Sequence, residues 1–362
     1  MKPVIAIVGA GILGLAQAYA FARRGHKVRV YERSPMAAGA SVRNFGMVWP
    51  IGQPSGALCE LAMSSREIWL RVLEEAKLPY RPVGSLHLAY RADEEAVARE
   101  FAEREPRRAR WIGVAEVLEK SPCVVARDLR GALFSETEVI VDPRQVLATL
   151  PALLEERYDV EFHFSTAVTN VAALKADLVF VCSGDDFETL YPEVFLNSGI
   201  VRCKLQMLRT APQPAGWAMG PALAGGLTLR FYKSFEICES LRALAARIAV
   251  EMPEYEKYGI HVMASETADG AITIGDSHEY GMAVDIFNKD EIDRLILDYL
   301  QGFAQFHDMR IAQRWHGVYA YHPDRPYFHA QPAPGVFIVT AAGGKGMTVS
   351  FGLAEQLFGG LS

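Results

Sequence analysis

Hydrophobic positions divide the chain into segments with three kinds of spacing. Continuous apolar runs at residues 4–8 and 176–182 predict strands buried on both faces, as in a parallel sheet. Helical spacing predicts helices at residues 15–24, 64–77, 143–157, 241–251 and 290–303, and from residue 349 onward. Alternation with period two predicts strands at residues 27–31, 86–90, 133–135, 139–141, 160–164, 168–171, 203–210, 228–232, 260–265, 271–276, 311–319 and 336–340. The pattern predicts an α/β protein in which a parallel sheet is joined to a second, mostly antiparallel sheet.

Three glycines follow the first buried strand at the spacing G-x-G-x-x-G. Gly9 permits a tight turn, Gly11 lets the backbone approach a pyrophosphate, and Gly14 lets the following helix pack on the strand. The positive end of that helix would then face the phosphates. The strand at 27–31 ends in Glu32, an acid that suits a ribose diol and would repel a 2′-phosphate. The segment therefore predicts a Rossmann-like site for FAD or NAD.

The same stretch can also be interpreted as a secretory signal. Lys2 precedes the apolar run, and residues 18–20, Ala-Tyr-Ala, resemble a cleavage site. A signal peptide requires neither glycines at dinucleotide spacing nor a paired strand that ends in Glu32. We therefore expect this segment to belong to the folded protein.

Composition excludes several classes of partner. Half of the 362 residues are apolar, and the net charge of −6 comes without the basic block that nucleic acid requires. No uninterrupted apolar run is long enough to cross a bilayer, so no membrane partner is expected. The five cysteines are far apart and lack metal-ligand spacing. We therefore predict reduced thiols, a cytoplasmic location and no metal site.

The segment after Glu32 begins with small residues and ends with aromatic ones, as a loop that follows a flat ligand would. From here the chain resembles the FAD-dependent amine oxidoreductases of the D-amino acid oxidase, glycine oxidase and sarcosine oxidase superfamily. In that superfamily a G-A-S-x-x-N-x-G segment passes along the cofactor. The resemblance places the pyrophosphate beside Ala40 and Ser41, and the flavin ring beside Asn44, Phe45 and Gly46.

The resemblance extends to the C-terminal part, where the superfamily's R-W-x-G pattern matches Arg314, Trp315 and Gly317. A second glycine-rich turn, with Gly343 and Gly346, lies between a strand and a helix. The helix N-terminus would point at the flavin O2/N1 edge, with Lys345 adding positive charge. Together, the motifs and the resemblance assign cofactor contacts to Gly9, Gly11, Ile12, Leu13, Gly14, Glu32, Arg33, Ala40, Ser41, Asn44, Phe45, Gly46, Val168, Ser183, Gly184, Arg314, Gly317, Gly343, Gly344, Lys345, Gly346, Met347 and Thr348.

The resemblance also implies two domains. The FAD-binding domain would be discontinuous and comprise residues 1–82, 141–199 and 311–362. The substrate-binding domain would comprise residues 83–140 and 200–310, with its sheet forming a roof over the flavin. The C-terminal glycine-rich turn contains no cysteine, so FAD is expected to be bound without a covalent link.

One departure from the superfamily bears on the substrate. Members that oxidise amino acids commonly carry an arginine shortly after R-W-x-G, but this chain has residues 318–321, Val-Tyr-Ala-Tyr, at that place. The chain resembles a subgroup linked to phosphonate breakdown, which oxidises 2-aminoethylphosphonate or its N-methyl derivative to phosphonoacetaldehyde and an amine. Catalytic roles are accordingly predicted for Lys204, His261, His278 and Tyr319. Substrate contacts are predicted for Asn44, Gln206, Arg230, Lys345 and Thr348.

The predicted partners are a small amine and an electron acceptor, either oxygen or another oxidant. Three other functions stay open on the sequence. An oxidase or dehydrogenase of glycine, sarcosine or a D-amino acid would share all the cofactor motifs. A nicotinamide-dependent dehydrogenase would share only the first motif, and a flavin-binding sensor would lack activity.

Overall fold

The computed structural model describes residues 2–360, so the predicted domain ends at Met1, Leu361 and Ser362 lie outside the described residues. Its strands, in chain order, are β1 (Ile5–Val8), β2 (Val28–Tyr31), β3 (Met47–Val48), β4 (Tyr80–Arg81), β5 (Ser85–Ala89), β6 (Arg110–Ile112), β7 (Gly131–Ser135), β8 (Val139–Val141), β9 (Glu161–His163), β10 (Leu178–Val181), β11 (Val201–Thr210), β12 (Ala222–Ala224), β13 (Met263–Glu266), β14 (Ile272–Gly275), β15 (Glu279–Gly281), β16 (Ile311–Tyr321), β17 (Phe328–Ala333) and β18 (Val336–Thr340).

The helices between these strands are α1 (Ile12–Ala22), α2 (Ala57–Glu75), α3 (Ala92–Arg104), α4 (Val114–Lys120), α5 (Pro143–Tyr158), α6 (Pro192–Leu196), α7 (Leu227–Phe231), α8 (Leu241–Glu251), α9 (Pro253–Lys257), α10 (Asp290–Gln301) and α11 (Gly346–Gly359). Across residues 2–360, none of them combines the length and the apolar character that a membrane crossing requires.

A six-stranded sheet in the order β17-β18-β10-β1-β2-β9 forms the first layer. Its β1, β2, β9, β10 and β18 pair in parallel, and only β17 is antiparallel to its neighbour. Helix α1 connects β1 to β2 and packs against α5 and α11. The central strands β1, β10 and β18 are apolar and largely buried, and for β1 and β10 the continuous apolar runs predicted this. The Rossmann-like layer is thus confirmed.

The second sheet has the order β15-β11-β14-β13-β12-β5-β7-β6, and β16 also pairs with β11. Every pair is antiparallel except that of β5 with β12, which confirms the mostly antiparallel second sheet. Strand β16 falls within the predicted FAD-binding domain, yet it pairs along its whole length with β11. A third small sheet, β3-β8-β4, links residues of the two predicted domains. The domain bounds themselves stay a prediction.

Two of the predicted strands are wrong. Residues 228–232 lie largely in helix α7, where Leu227, Thr228 and Leu229 are all buried, so their alternating sequence does not reflect alternating exposure. Residues 168–171 form no strand: the Asn170 side chain accepts a hydrogen bond from Ala172 N at 3.0 Å, and a 3₁₀ turn begins at Val171. Asparagine competes in this way with backbone pairing. The other predicted helices and strands are present, most of them with shifted ends.

Candidate functional site

The turn from β1 to α1 is closed so tightly that it requires glycine at two positions. Gly9 has a φ of +106°, and a Cβ there would lie 2.4 Å from the Cys182 carbonyl oxygen. A Cβ on Gly14 would lie 1.9 Å from the Gly9 carbonyl oxygen, so α1 could not rest on β1. Gly11 precedes the first residue of the helix in an extended conformation. The backbone at this turn is therefore open to a ligand that needs close approach.

Glu32 lies beside this turn, as its position after β2 predicted. Its carboxylate accepts hydrogen bonds from Ala10 N and Ser34 N, both at 2.9 Å. The neighbouring Arg33 side chain is largely exposed and pairs with Asp186 at 2.7 Å. The carboxylate is thus held beside the turn, at the position predicted to meet the ribose of a dinucleotide.

The small-residue loop after β2 folds back onto the same turn. Ser41 Oγ accepts a hydrogen bond from Ile12 N at 3.0 Å. Asn44 donates through Nδ2 to the carbonyls of Ala40 and Ser41 and accepts from Gly46 N at 2.8 Å. The Asn44 amide is therefore engaged in shaping the loop, which makes it a poor candidate for the predicted substrate contact.

These segments surround one cleft between the parallel sheet and the strand pair β11–β16. It is lined by Ile12, Ala40, Ser41, Arg43, Asn44, Phe45, Leu205, Met207, Asp276, Gly317, Tyr319, Gly343, Gly344, Gly346 and Met347. Most of these residues were assigned to the cofactor from the sequence. Those assigned come from four distant segments, at residue 12, residues 40–45, residue 317 and residues 343–347. The structure therefore brings the predicted cofactor motifs to one place.

The remaining predicted cofactor residues lie around this cleft or farther away. Leu13 is in the first turn of α1, and Val168 is buried before the 3₁₀ turn. Ser183 and Gly184 follow β10, where the Thr340 hydroxyl donates to the Gly184 carbonyl at 2.7 Å. Arg314 is half-exposed and pairs with Asp293 at 3.2 Å, on the side of β16 away from the cleft.

The C-terminal glycine turn contributes Lys345 to the cleft region. Gly343 in this turn has a φ of +57°. The Thr348 hydroxyl accepts a hydrogen bond from Trp49 N at 2.9 Å and is buried, so it supports the turn from behind. Burial lowers the pKa of the Lys345 ammonium to about 8, and Lys233 adds to this shift. Within residues 2–360, the structure gives the Lys345 ammonium no hydrogen-bond acceptor or ion-pair partner. It is therefore available to an anionic oxygen.

Lys204 and Gln206 do not reach the cleft. Side chains alternate along a strand, and on β11 Cys203, Leu205 and Met207 point towards the cleft. Lys204 is buried on the opposite face, where its ammonium donates to the Phe287 carbonyl. Gln206 donates to Asp293 Oδ1 at 2.8 Å on that face. The geometry contradicts contact of these two residues with a substrate in this cleft.

Arg230 is also placed differently from its prediction. It lies on helix α7 and not on a strand, and its guanidinium pairs with Glu256 at 2.9 Å. Tyr319 does line the cleft, on β16 opposite Cys203. Burial raises the pKa of the Tyr319 hydroxyl well above its ordinary value, so the phenol stays protonated.

His261 and His278 converge on Asp276, a residue that the sequence analysis did not assign. We refer to these three residues as the His–Asp–His cluster. Asp276 Oδ1 lies 3.2 Å from His261 Nε2, and Asp276 Oδ2 lies 3.8 Å from His278 Nε2. Asp276 lines the cleft, and the two histidines lie behind it. The signal in the sequence was the run Gly-Asp-Ser-His at residues 275–278, which begins at the last residue of β14. His261, the other histidine beside Asp276, is distant in the chain.

Burial sets the protonation of this cluster. It lowers the pKa of His278 to about 4 and that of His261 well below its ordinary value. Burial also raises the pKa of the Asp276 carboxyl well above its usual range. Both imidazoles are therefore neutral near pH 7.

Family comparison matches nearly the whole chain. The family model DAO, described as FAD dependent oxidoreductase, matches residues 5–358. A glycine oxidase of Geobacillus kaustophilus (strain HTA426) is 29% identical over 143 residues, which cover 36% of this chain and 37% of that protein. A putative thiamine biosynthesis oxidoreductase ThiO of Rhizobium etli is 31% identical over 186 residues, covering 50% and 54%. The matched part therefore spans less than two thirds of either relative.

Solved structures show the same fold over nearly the whole length. The L-proline dehydrogenase from P. horikoshii aligns with a TM-score of 0.76 and 19% identity, covering 99% of this chain and 94% of that chain. The glycine oxidase from Geobacillus kaustophilus aligns with a TM-score of 0.76 and 18% identity over the same shares. At such low identity the likeness shows the fold alone.

Proposed function

Because this chain belongs to the DAO family of FAD-dependent oxidoreductases, we propose that it oxidises the carbon–nitrogen bond of a small amine. The observation that carries the proposal is the cleft. There the predicted FAD motifs, including the glycine turn before α11, meet the strand pair β11–β16, which contributes Tyr319. An oxidised amine yields an imine, which water hydrolyses to an aldehyde and ammonia or a smaller amine.

The residues present fit FAD. The β1–α1 turn has no room for side chains at Gly9 and Gly14, and Glu32 is fixed beside it. Bound FAD supplies the acceptor for two electrons and a proton from the substrate carbon. The chain's own part is to orient the amine, exclude water and place positive charge beside the cofactor. Leu205, Met207 and Phe45 supply apolar walls for this purpose.

We further propose that the substrate carries an anionic group, and that this group is a phosphonate, as in 2-aminoethylphosphonate or its N-methyl derivative. No arginine occupies residues 318–321 to pair with a carboxylate. Instead, Lys345 lies beside the lining residues Gly343 and Gly344 with an ammonium that has no acceptor in the described structure, and Arg43 lines the cleft. The predicted roles of Lys204, Gln206 and Arg230 do not support this proposal, because these residues do not line the cleft.

An anaerobic substrate screen tests both levels of the proposal. Flavin absorbance would be followed with 2-aminoethylphosphonate, its N-methyl form, glycine and sarcosine. The matched control is 3-aminopropionate, which keeps the amine and spacing but replaces phosphonate by carboxylate. Fast bleaching by the aminophosphonates, with formation of phosphonoacetaldehyde, supports the phosphonate. Faster bleaching by glycine or sarcosine would favour an amino acid oxidase or dehydrogenase, and bleaching by no amine would contradict amine oxidation.

FAD is expected to be bound without a covalent link. Cys203 is the cysteine that packs beside Tyr319 at the cleft, and burial raises the pKa of its thiol to about 12. The thiol therefore stays protonated and is a poor nucleophile. Acid precipitation should release all flavin into the supernatant. Yellow colour retained in the pellet would contradict this prediction.

Glu32→Gln is expected to weaken FAD binding without unfolding the chain. The amide would place a donor against Ala10 N or Ser34 N and lose a charge-assisted bond to the ribose. A loss of about 1.5–3 kcal/mol corresponds to roughly 10-fold to 100-fold weaker binding. Titration of the flavin-free protein with FAD measures this change. Unchanged affinity would refute the ribose role.

A further inference from the structure

We propose that the His–Asp–His cluster is a binding site for one divalent metal ion of the zinc class. His261, Asp276 and His278 are 2%, 5% and 6% exposed, and one potential ligand atom from each lies within 4.8 Å of the others. A tetrahedral zinc ion with bonds of about 2.0–2.2 Å holds its nitrogen and oxygen ligands roughly 3.3–3.5 Å apart. His261 Nε2 and His278 Nε2 lie 3.2 Å and 3.8 Å from different oxygens of the Asp276 carboxyl group, close to this spacing.

The hydrogen bond behind His278 determines which ring nitrogen faces Asp276 with a lone pair. His278 Nδ1 lies 3.0 Å from the Gly259 carbonyl oxygen, which can only accept, so Nδ1 carries the proton. In the neutral ring, Nε2 then presents its lone pair to Asp276 Oδ2 at 3.8 Å. Two electron-pair donors at that distance are too far apart to share a proton in one hydrogen bond. A carbonyl behind the ring is also the usual support of a metal-binding histidine.

Among residues 2–360, no lysine or arginine pairs with the Asp276 carboxyl group. Asp276 Oδ1 is buried and has no hydrogen-bond partner within residues 2–360. Arg230 is a nearby cation, but it pairs with Glu256 at 2.9 Å. A buried carboxyl group is costly to ionise unless it is paired or coordinates a metal. Two neutral imidazoles and one carboxylate suit a divalent zinc-class ion.

Packing holds the two imidazoles in place for coordination. Phe231 contacts both rings, with centroid distances of 3.8 Å to His261 and 4.5 Å to His278. The imidazole planes differ by only 16°, with centroids 5.3 Å apart. The ligands therefore do not need to be ordered when a metal enters, which favours binding.

The cluster provides three ligands, so a bound ion would keep one position open, as catalytic zinc sites do. Asp276 borders the cleft, and an anionic oxygen of the substrate would complete the coordination there. The ion would then take the place of the arginine that residues 318–321 lack. This role rests on the proposed function, whereas metal binding itself does not.

Calorimetric titration of Zn²⁺ into untagged, FAD-loaded, chelator-treated enzyme tests the site. We expect one zinc per chain, confirmed by elemental analysis. Asp276→Asn and His278→Gln nearly preserve the size of the side chain but remove a ligand atom. Loss of a hydrogen-bond partner behind a ligand lowers metal affinity by about 10–100-fold, so loss of a ligand itself should lower zinc affinity by more than this. His329→Ala is the matched control, because it removes a histidine outside the His–Asp–His cluster: His329 stacks on Phe337 in the first sheet. Co²⁺ loading should add absorption bands beyond the flavin spectrum that these two variants lose.

The possible outcomes separate the site from its role. Wild-type enzyme that binds no zinc, or binds it as tightly after Asp276→Asn and His278→Gln, overturns the site. If zinc binds but the affinity for 2-aminoethylphosphonate is the same with and without it, the anion role is overturned. Oxidation of aminophosphonates by metal-free enzyme at the full rate would leave the proposed function standing and refute the role of the metal.

Discussion

Gly14→Ala is expected to yield a chain that retains almost no FAD. The added Cβ would lie 1.9 Å from the Gly9 carbonyl oxygen and 3.3 Å from Ile7 Cγ2, so α1 must move away from β1. Overpacking of this kind costs about 1–3 kcal/mol, and the upper value is roughly a 100-fold loss if it falls on cofactor affinity. Flavin content per chain and the thermal midpoint measure the two effects.

Gly39→Ala is the matched control for this change. Gly39 precedes the cofactor loop, and a Cβ there would have no atom within 4 Å among residues 2–360 other than its chain neighbours. Its φ of −84° is also accessible to alanine. This variant should keep wild-type flavin content. A Gly14→Ala protein that is as yellow and as stable as Gly39→Ala would refute the proposed packing of the turn.

Lys345→Met is expected to slow flavin reduction by about 100-fold at saturating substrate. Removing one donor from developing negative charge typically costs that much. If the ammonium contacts the substrate anion instead, KM rises and the limiting rate changes little. Stopped-flow reduction over a range of substrate concentrations separates the two roles. Lys120→Met, on helix α4, is a control outside the cleft.

The pH dependence of this variant provides a second readout. Burial lowers the pKa of Lys345 to about 8, so its positive charge is present below that pH and lost as the pH rises through it. An anion bound beside the ammonium would move this transition upward. The affinity for an alkyl phosphonate inhibitor should therefore fall above about pH 8 in wild-type enzyme and not in Lys345→Met. An identical pH profile in both proteins would exclude Lys345 as an anion partner.

Local signals in the sequence were sufficient for much of the fold. The β1–α1–β2 unit was predicted because its glycine spacing and its acid at Glu32 lie within one short segment. Helix α8 has the predicted ends, 241–251, and α5 begins after Asp142, whose carboxylate accepts from Arg144 N and Gln145 N. Such caps and periodic burial depend on neighbours only a few residues away, so the sequence carries them directly.

The tertiary structure decided what depends on distant partners. Residues 228–232 were predicted as a strand but lie largely in α7, where the consecutive residues Leu227, Thr228 and Leu229 are all buried. The alternation along β11 predicted two faces, and in the folded chain Leu205 lines the cleft while Lys204 lies on the opposite face. Asp276 and His261 are neighbours because their backbones exchange two hydrogen bonds: His261 N donates to Asp276 O at 3.2 Å, and Asp276 N donates to His261 O at 2.9 Å. A period of two specifies alternate faces but not which one meets the cofactor, because that depends on how the sheets pack.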